Sequence, residues 1–151
     1  MGGLVSLATP AVTVPGARSR TAGLTAIALL ALVQACVGIF WSIRWFHLAF
    51  QLGDRGALLL PLAGALVALR ATFALVIAVL YLVFVAGVFA GRDWAWGVGM
   101  AAVVLNLLGV LALFLTGDAI VAGAVRGLVA LVIFAYLVSP AGRRALGATS
   151  V

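Results

Sequence analysis

The chain has 151 residues, of which 67% are apolar and 8% charged, and its formal net charge is +6. A soluble domain is about 45–50% apolar and about 25% charged, so a water-soluble globule is excluded. Nine arginines stand against three aspartates, one histidine and one cysteine, with no lysine or glutamate; that inventory leaves little for catalysis, and the chain reads as a non-catalytic membrane protein.

A span needs about 20 apolar residues to cross a hydrocarbon core of about 30 Å, so this length has room for four spans with brief connections. Residues 1–21, with Pro10 and Pro15, read as a flexible tail. The first span is read over Ala22 to Ile43, between Arg20 and Arg44. Within it, Leu32-Val33-Gln34-Ala35-Cys36 has the look of a lipoprotein cleavage box, but the apolar character continues to Phe50, so an anchor that stays in place is the reading. Gln51 to Gly56 is a polar, glycine-punctuated turn. The stretch from Ala57 to Ala90 is too long for one vertical span; 71–90 is taken as the core of the second span and 57–69 as an apolar segment at the outer face, in which Pro61 to Leu69 is either an extra turn or two of that span or an interfacial segment.

Gly91-Arg92-Asp93-Trp94 makes the next turn, followed by a third span over Ala95 to Thr116. Gly117-Asp118 leads into a fourth over Ala119 to Val138, and Ser139-Pro140 ends it before a cytoplasmic tail, 139–151. Turns this short make neighbouring spans antiparallel. The expected fold is therefore all-α, one four-helix transmembrane bundle over 22–138 running up-down-up-down.

Arginine placement orients it. With the amino terminus inside, Arg18, Arg20, Arg92, Arg143 and Arg144 lie on the cytoplasmic side, against Arg44, Arg55 and Arg70 outside. Trp41 and Trp45 then fall at the outer interface, and Trp94, Trp96 and Tyr136 at the inner one, where amphipathic rings are favoured. Both termini are expected in the cytoplasm. Arginines dispersed at span ends serve topology and lipid contact, so nucleic acid is not an expected partner.

Three short stretches carry a resemblance. Arg20-Thr21-Ala22-Gly23-Leu24-Thr25, then Gly91-Arg92-Asp93-Trp94-Ala95-Trp96, then Tyr136-Leu137-Val138-Ser139-Pro140-Ala141-Gly142-Arg143-Arg144 resemble the opening, the second turn and the ending of the small four-span prokaryotic integral membrane proteins, a family without a characterised activity. Ser139 departs from the basic residue often found there in that family. The resemblance implies topology and a prokaryotic plasma membrane, and it carries over no catalytic residue. The use of arginine without lysine also suits a high-GC genome.

Functional candidates are the polar side chains inside the spans, because placing them in lipid costs free energy that something must offset. Gln34, Tyr81, Asn106 and Arg126 put one such group near mid-bilayer on each helix, a shared polar layer. Asn and Gln serve as interhelical glue, worth on average about 0.6 kcal/mol per hydrogen bond. The Arg126 charge costs about 2.5–3.5 kcal/mol on insertion scales. Its counterpart is expected from outside the chain: outer headgroups, an acidic residue of another subunit, or an anionic lipid or ligand. Arg126 lies inside Gly123-x-x-x-Gly127, and Gly87-x-x-x-Gly91 is a second small-residue pair, both read as faces where another helix can approach.

The expected role is thus an accessory or scaffold subunit that docks on a larger membrane complex, or on itself, through the Arg126 face. One alternative is a small carrier or permeation unit that binds an anion at the polar layer. Another is a pigment- or haem-holding subunit in which His47, the sole histidine, is an axial ligand. No cofactor is otherwise expected, and no metal-ligand spacing is present.

Overall fold

The computed structural model describes residues 22–53, 60–117 and 120–147. The amino-terminal tail, Asp54, Arg55 and Asp118 lie outside the described residues. The chain is helical: α1 (Ala22–Gly53), α2 (Leu60–Phe89), α3 (Ala95–Thr116), α4 (Ile120–Val138) and α5 (Pro140–Ala145), with no strand among the described residues. The helices α1, α2 and α3 are each long and apolar enough to cross a membrane.

Two boundaries differ from the sequence reading. The first helix runs on past Ile43 to Gly53, because Arg44, Trp45, His47 and Gln51 lower hydropathy without breaking helical hydrogen bonding. The expected outer-face segment 57–69 is, from Leu60 onward, the start of α2, continuous through Arg70. Pro61 permits this by standing in the first turn, where its missing N–H had no intrahelical partner to lose. At about 1.5 Å per residue, the 32 residues of α1 and 30 of α2 extend about 48 and 45 Å, against about 33 Å for α3 and 28 Å for α4. The α1–α2 hairpin is therefore the long half of the molecule.

Neighbouring helices run antiparallel, as their contacts show. Gly38 meets Ala78, and the Ser42 hydroxyl donates to the Ala71 carbonyl at 2.8 Å, along α1 and α2. Phe84 packs on Gly99 and Phe73 on Gly109 between α2 and α3, while Val110 packs on Gly127 between α3 and α4. The ring closes where Tyr136, near the end of α4, packs on Gly23, near the start of α1. On α1 the buried residues Ala28, Ala31, Ala35 and Ser42, with Gly38, form a small-residue seam that lets α2 approach closely.

The core is apolar and sits toward the end where the chain enters α1: Phe84, Ala102, Val103, Ala130, Ile133 and Leu137 are fully buried. The opposite, outward faces are equally apolar, with Leu115 81% and Val121 80% exposed. A helix that is hydrophobic all round belongs in lipid.

Turn chemistry explains the connections. Gly91 takes φ 64°, and the Arg92 N–H then reaches back to the Gly87 carbonyl at 3.0 Å, closing α2. The segment read as a carboxy-terminal tail begins with a short helix: Ser139 caps α5, its hydroxyl oxygen accepting from the Gly142 N–H at 3.1 Å, with Pro140 in the first turn.

Candidate anion-binding cleft

The four polar residues expected to share a layer meet in two pairs. Gln34 Nε2 on α1 donates to the Arg126 backbone carbonyl on α4 at 3.3 Å. Asn106 Nδ2 on α3 donates to the Tyr81 hydroxyl on α2 at 3.2 Å. Tyr81 and Arg126 lie close enough to interact electrostatically, which joins the two pairs. Tyr81 and Asn106 are buried at 0% and 1% exposure, so the bond between them is made in a low-dielectric interior, whereas the Gln34 bond to Arg126 is partly buried. Asn106 Oδ1 is buried there without a partner among the described residues. Such an orphan acceptor costs about 1–3 kcal/mol, a standing free energy that a ligand donor would recover.

Next to this layer the bundle is open. A cleft of about 600 Å³ is lined by Phe73, Ala74 and Ile77 of α2, by Gly109, Ala112 and Leu113 of α3, and by Trp45 of α1. Its polar lining is Asn106, Thr116, Arg70 and Arg126. Asn106 and Thr116 mark its inner and outer ends on α3, ten residues or about 15 Å apart.

Helix pairing brings both arginines to one level. Phe73 packs on Gly109 and Gly127 on Val110, adjacent residues of α3. Arg70 lies three residues before Phe73 and Arg126 one before Gly127, so their heights differ by about 1.5 Å, less than a helical turn. Arg126 is half-buried and Arg70 exposed. No ion pair to Arg126 is present among the described residues. A guanidinium offers five donors in a planar fork suited to carboxylate or phosphate oxygens.

The glycine pairs face the chain's own neighbouring elements. Gly123 and Gly127 are buried against the chain's own α3: a Cβ on Gly127 would stand 3.2 Å from Val110, and one on Gly123 4.0 Å from Leu113. α3 thus packs closely on Gly127 and only loosely on Gly123. Gly87 packs on Trp94 and Ala95 at the α2–α3 turn, and Gly91 lies beyond the helix with a left-handed backbone. The small-residue seam that does bring two helices together, Ala31 to Ser42, was legible as small residues at helical spacing but was masked by the louder GxxxG pattern.

His47 lies on the surface of α1, where its Nε2 is hydrogen-bonded to the Gln51 side-chain amide at 2.9 Å. That nitrogen is the one an axial ligand would commonly use, and the groove beside it is lined by α1 residues alone, Trp41 to Gln51. The Trp96 indole donates to the Leu137 carbonyl at 3.1 Å, tying α3 to α4 at the other end of the bundle. No protein family, curated protein or solved structure matches this chain.

Proposed function

We propose that this is a non-catalytic, four-span protein of a prokaryotic plasma membrane, both termini cytoplasmic, that binds an anionic ligand in the cleft beside Arg126. The observation that carries the reading is the cleft itself: it reaches Arg126 and the unsatisfied Asn106, where a closed bundle would have packed side chains. Of the roles expected from the sequence, this favours the anion-binding unit over the docking subunit, because Gly123 and Gly127 are buried against α3. The groove beside His47, about 500 Å³, is lined by α1 alone, which supports the pigment-holding reading less than the cleft supports anion binding.

The test is binding of decyl sulfate against uncharged decanol, followed by tryptophan fluorescence in non-ionic detergent, since Trp45 lines the cleft. The wild type is expected to prefer the anion by about tenfold, the equivalent of one charge-assisted hydrogen bond. Arg126→Leu should abolish that preference while keeping the helical circular-dichroism signal. Equal affinity for the two amphiphiles in the wild type, or an undiminished preference in a folded Arg126→Leu protein, overturns the proposal.

A further inference from the structure

We infer that the ligand of the cleft is an organic amphiphile whose anionic head also carries a hydrogen-bond donor, such as the hydroxyl of a phosphate monoester. The inference rests on the anion-binding reading and adds the chemical class. Size comes first. Sites for drug-sized molecules occupy about 300–1,000 Å³, and at about 600 Å³ this cleft is far larger than a halide or inorganic phosphate requires.

The walls point the same way. Between the polar ends, the lining is Phe73, Ile77, Ala112 and Leu113, with Leu108, itself 54% exposed, at the rim. A small hydrated anion would lose its water against such walls, whereas a hydrocarbon chain would be favoured there. Gly109 lets the Phe73 ring lie close against α3, since a Cβ on it would stand 3.1 Å from that ring.

The donor requirement comes from Asn106. Asn106 lines the inner end of the cleft; its Nδ2 donates to Tyr81, and its Oδ1 is buried beside the cleft without a partner among the described residues. A fully deprotonated head satisfies Arg126 and leaves that oxygen unbonded. A head that keeps one O–H satisfies both: its anionic oxygens accept from the Arg126 guanidinium and its proton is donated to Asn106 Oδ1.

Two ligands of equal charge separate these requirements. Below the second phosphate pKa of about 6, decyl phosphate is a monoanion that retains an O–H, whereas decyl sulfate is a monoanion without one. At about pH 5.5, by the same tryptophan fluorescence, wild-type protein should bind decyl phosphate about fivefold more tightly than decyl sulfate. Inorganic phosphate should compete at least about a hundredfold more weakly than decyl phosphate, because it lacks the chain. Asn106→Leu should erase the phosphate-over-sulfate preference and keep the anion-over-decanol one. Ala112→Phe, which fills the cleft and leaves every polar group in place, should weaken both amphiphiles.

The failures are distinct. Equal binding of decyl phosphate and decyl sulfate, both above decanol, overturns the donor and leaves the anion-binding reading standing. Competition by inorganic phosphate as strong as by decyl phosphate overturns the amphiphile. Loss of any preference over decanol removes the underlying reading itself. The wild-type comparisons need no variant, so a misfolded Asn106→Leu protein does not shelter the inference.

Discussion

Glycines in this bundle do opposite jobs within a few residues of one another. Gly99 of α3 sits against the fully buried Phe84 ring: a Cβ there would stand 2.6 Å from Phe84 Cδ2 and 3.2 Å from Leu137 Cδ1. Two turns of α2 and α4 hold those side chains, so neither can retreat cheaply. Gly97, two residues earlier, has nothing within 4 Å of the same position. Gly99→Ala should therefore destabilise by about 1–3 kcal/mol through overpacking. Gly97→Ala should be neutral or stabilise by up to about 1 kcal/mol, because alanine restricts the unfolded backbone more than glycine does. Thermal unfolding midpoints in one detergent compare the two; equal midpoints would show that the α2–α3 seam is loose and the packing argument wrong.

At the scale of elements, the ending of α4 is set by one side chain. Ser139 donates its hydroxyl proton to the Tyr136 carbonyl at 2.6 Å, and the same oxygen accepts from Gly142 N–H, so one residue terminates α4 and starts α5. A Cβ on Gly142 would run into that Tyr136 carbonyl, which fixes the close turn. Ser139→Ala should cost α5 about 1 kcal/mol, the usual worth of an amino-terminal cap. Hydrogen exchange over residues 140–146 should rise about fivefold, with no change in protection of α3. Unchanged exchange would mean that packing, not the cap, holds the short helix.

The cap was readable in Ser139-Pro140, since serine before proline is a helix-start signal, yet the same pair had already been used to stop α4. Helical character and the turns at Gly91 and Gly117 were legible because hydropathy and glycine report them directly. The length of α1 and the continuity of α2 were not: a hydropathy window registers Arg44 and Arg70 as ends, while a helix ends only where its backbone hydrogen bonds do. Polar residues at mid-span were visible as candidates. Their pairing, Gln34 with the Arg126 carbonyl and Asn106 with Tyr81, depends on rotation of each helix about its axis, which an all-round apolar pattern does not encode.

At the scale of the molecule, the unequal helices bear on how the chain sits in a bilayer. Arg44 lies 22 residues into the 32-residue α1, or about 33 Å from Ala22, and Arg70 lies about 29 Å from the end of α2. Each distance matches one hydrocarbon thickness of about 30 Å. A bilayer whose outer boundary runs through Arg44 and Arg70 leaves the last turns of α1 and the first of α2 projecting as a hairpin, with Trp45 at the interface. Arg126, at the height of Arg70, then lies near that boundary, and the stretch of α4 from Arg126 to Val138 extends about 18 Å inward from it before α5 begins. The four-span proposal thus predicts which side each turn meets. With Cys36 changed to serine, single cysteines at Gln51, Arg92, Thr116 and Arg144 replace exposed residues and can be labelled by a membrane-impermeant maleimide. Gln51→Cys and Thr116→Cys should react in intact cells, and Arg92→Cys and Arg144→Cys only after permeabilisation. Thr116 and Arg144 flank α4, so labelling of both from one side would show that α4 does not cross and that the chain has three spans. Labelling of Arg92→Cys and Arg144→Cys from outside, with Gln51→Cys and Thr116→Cys protected, would invert the molecule and turn the mouth of the Arg126 cleft toward the cytoplasm.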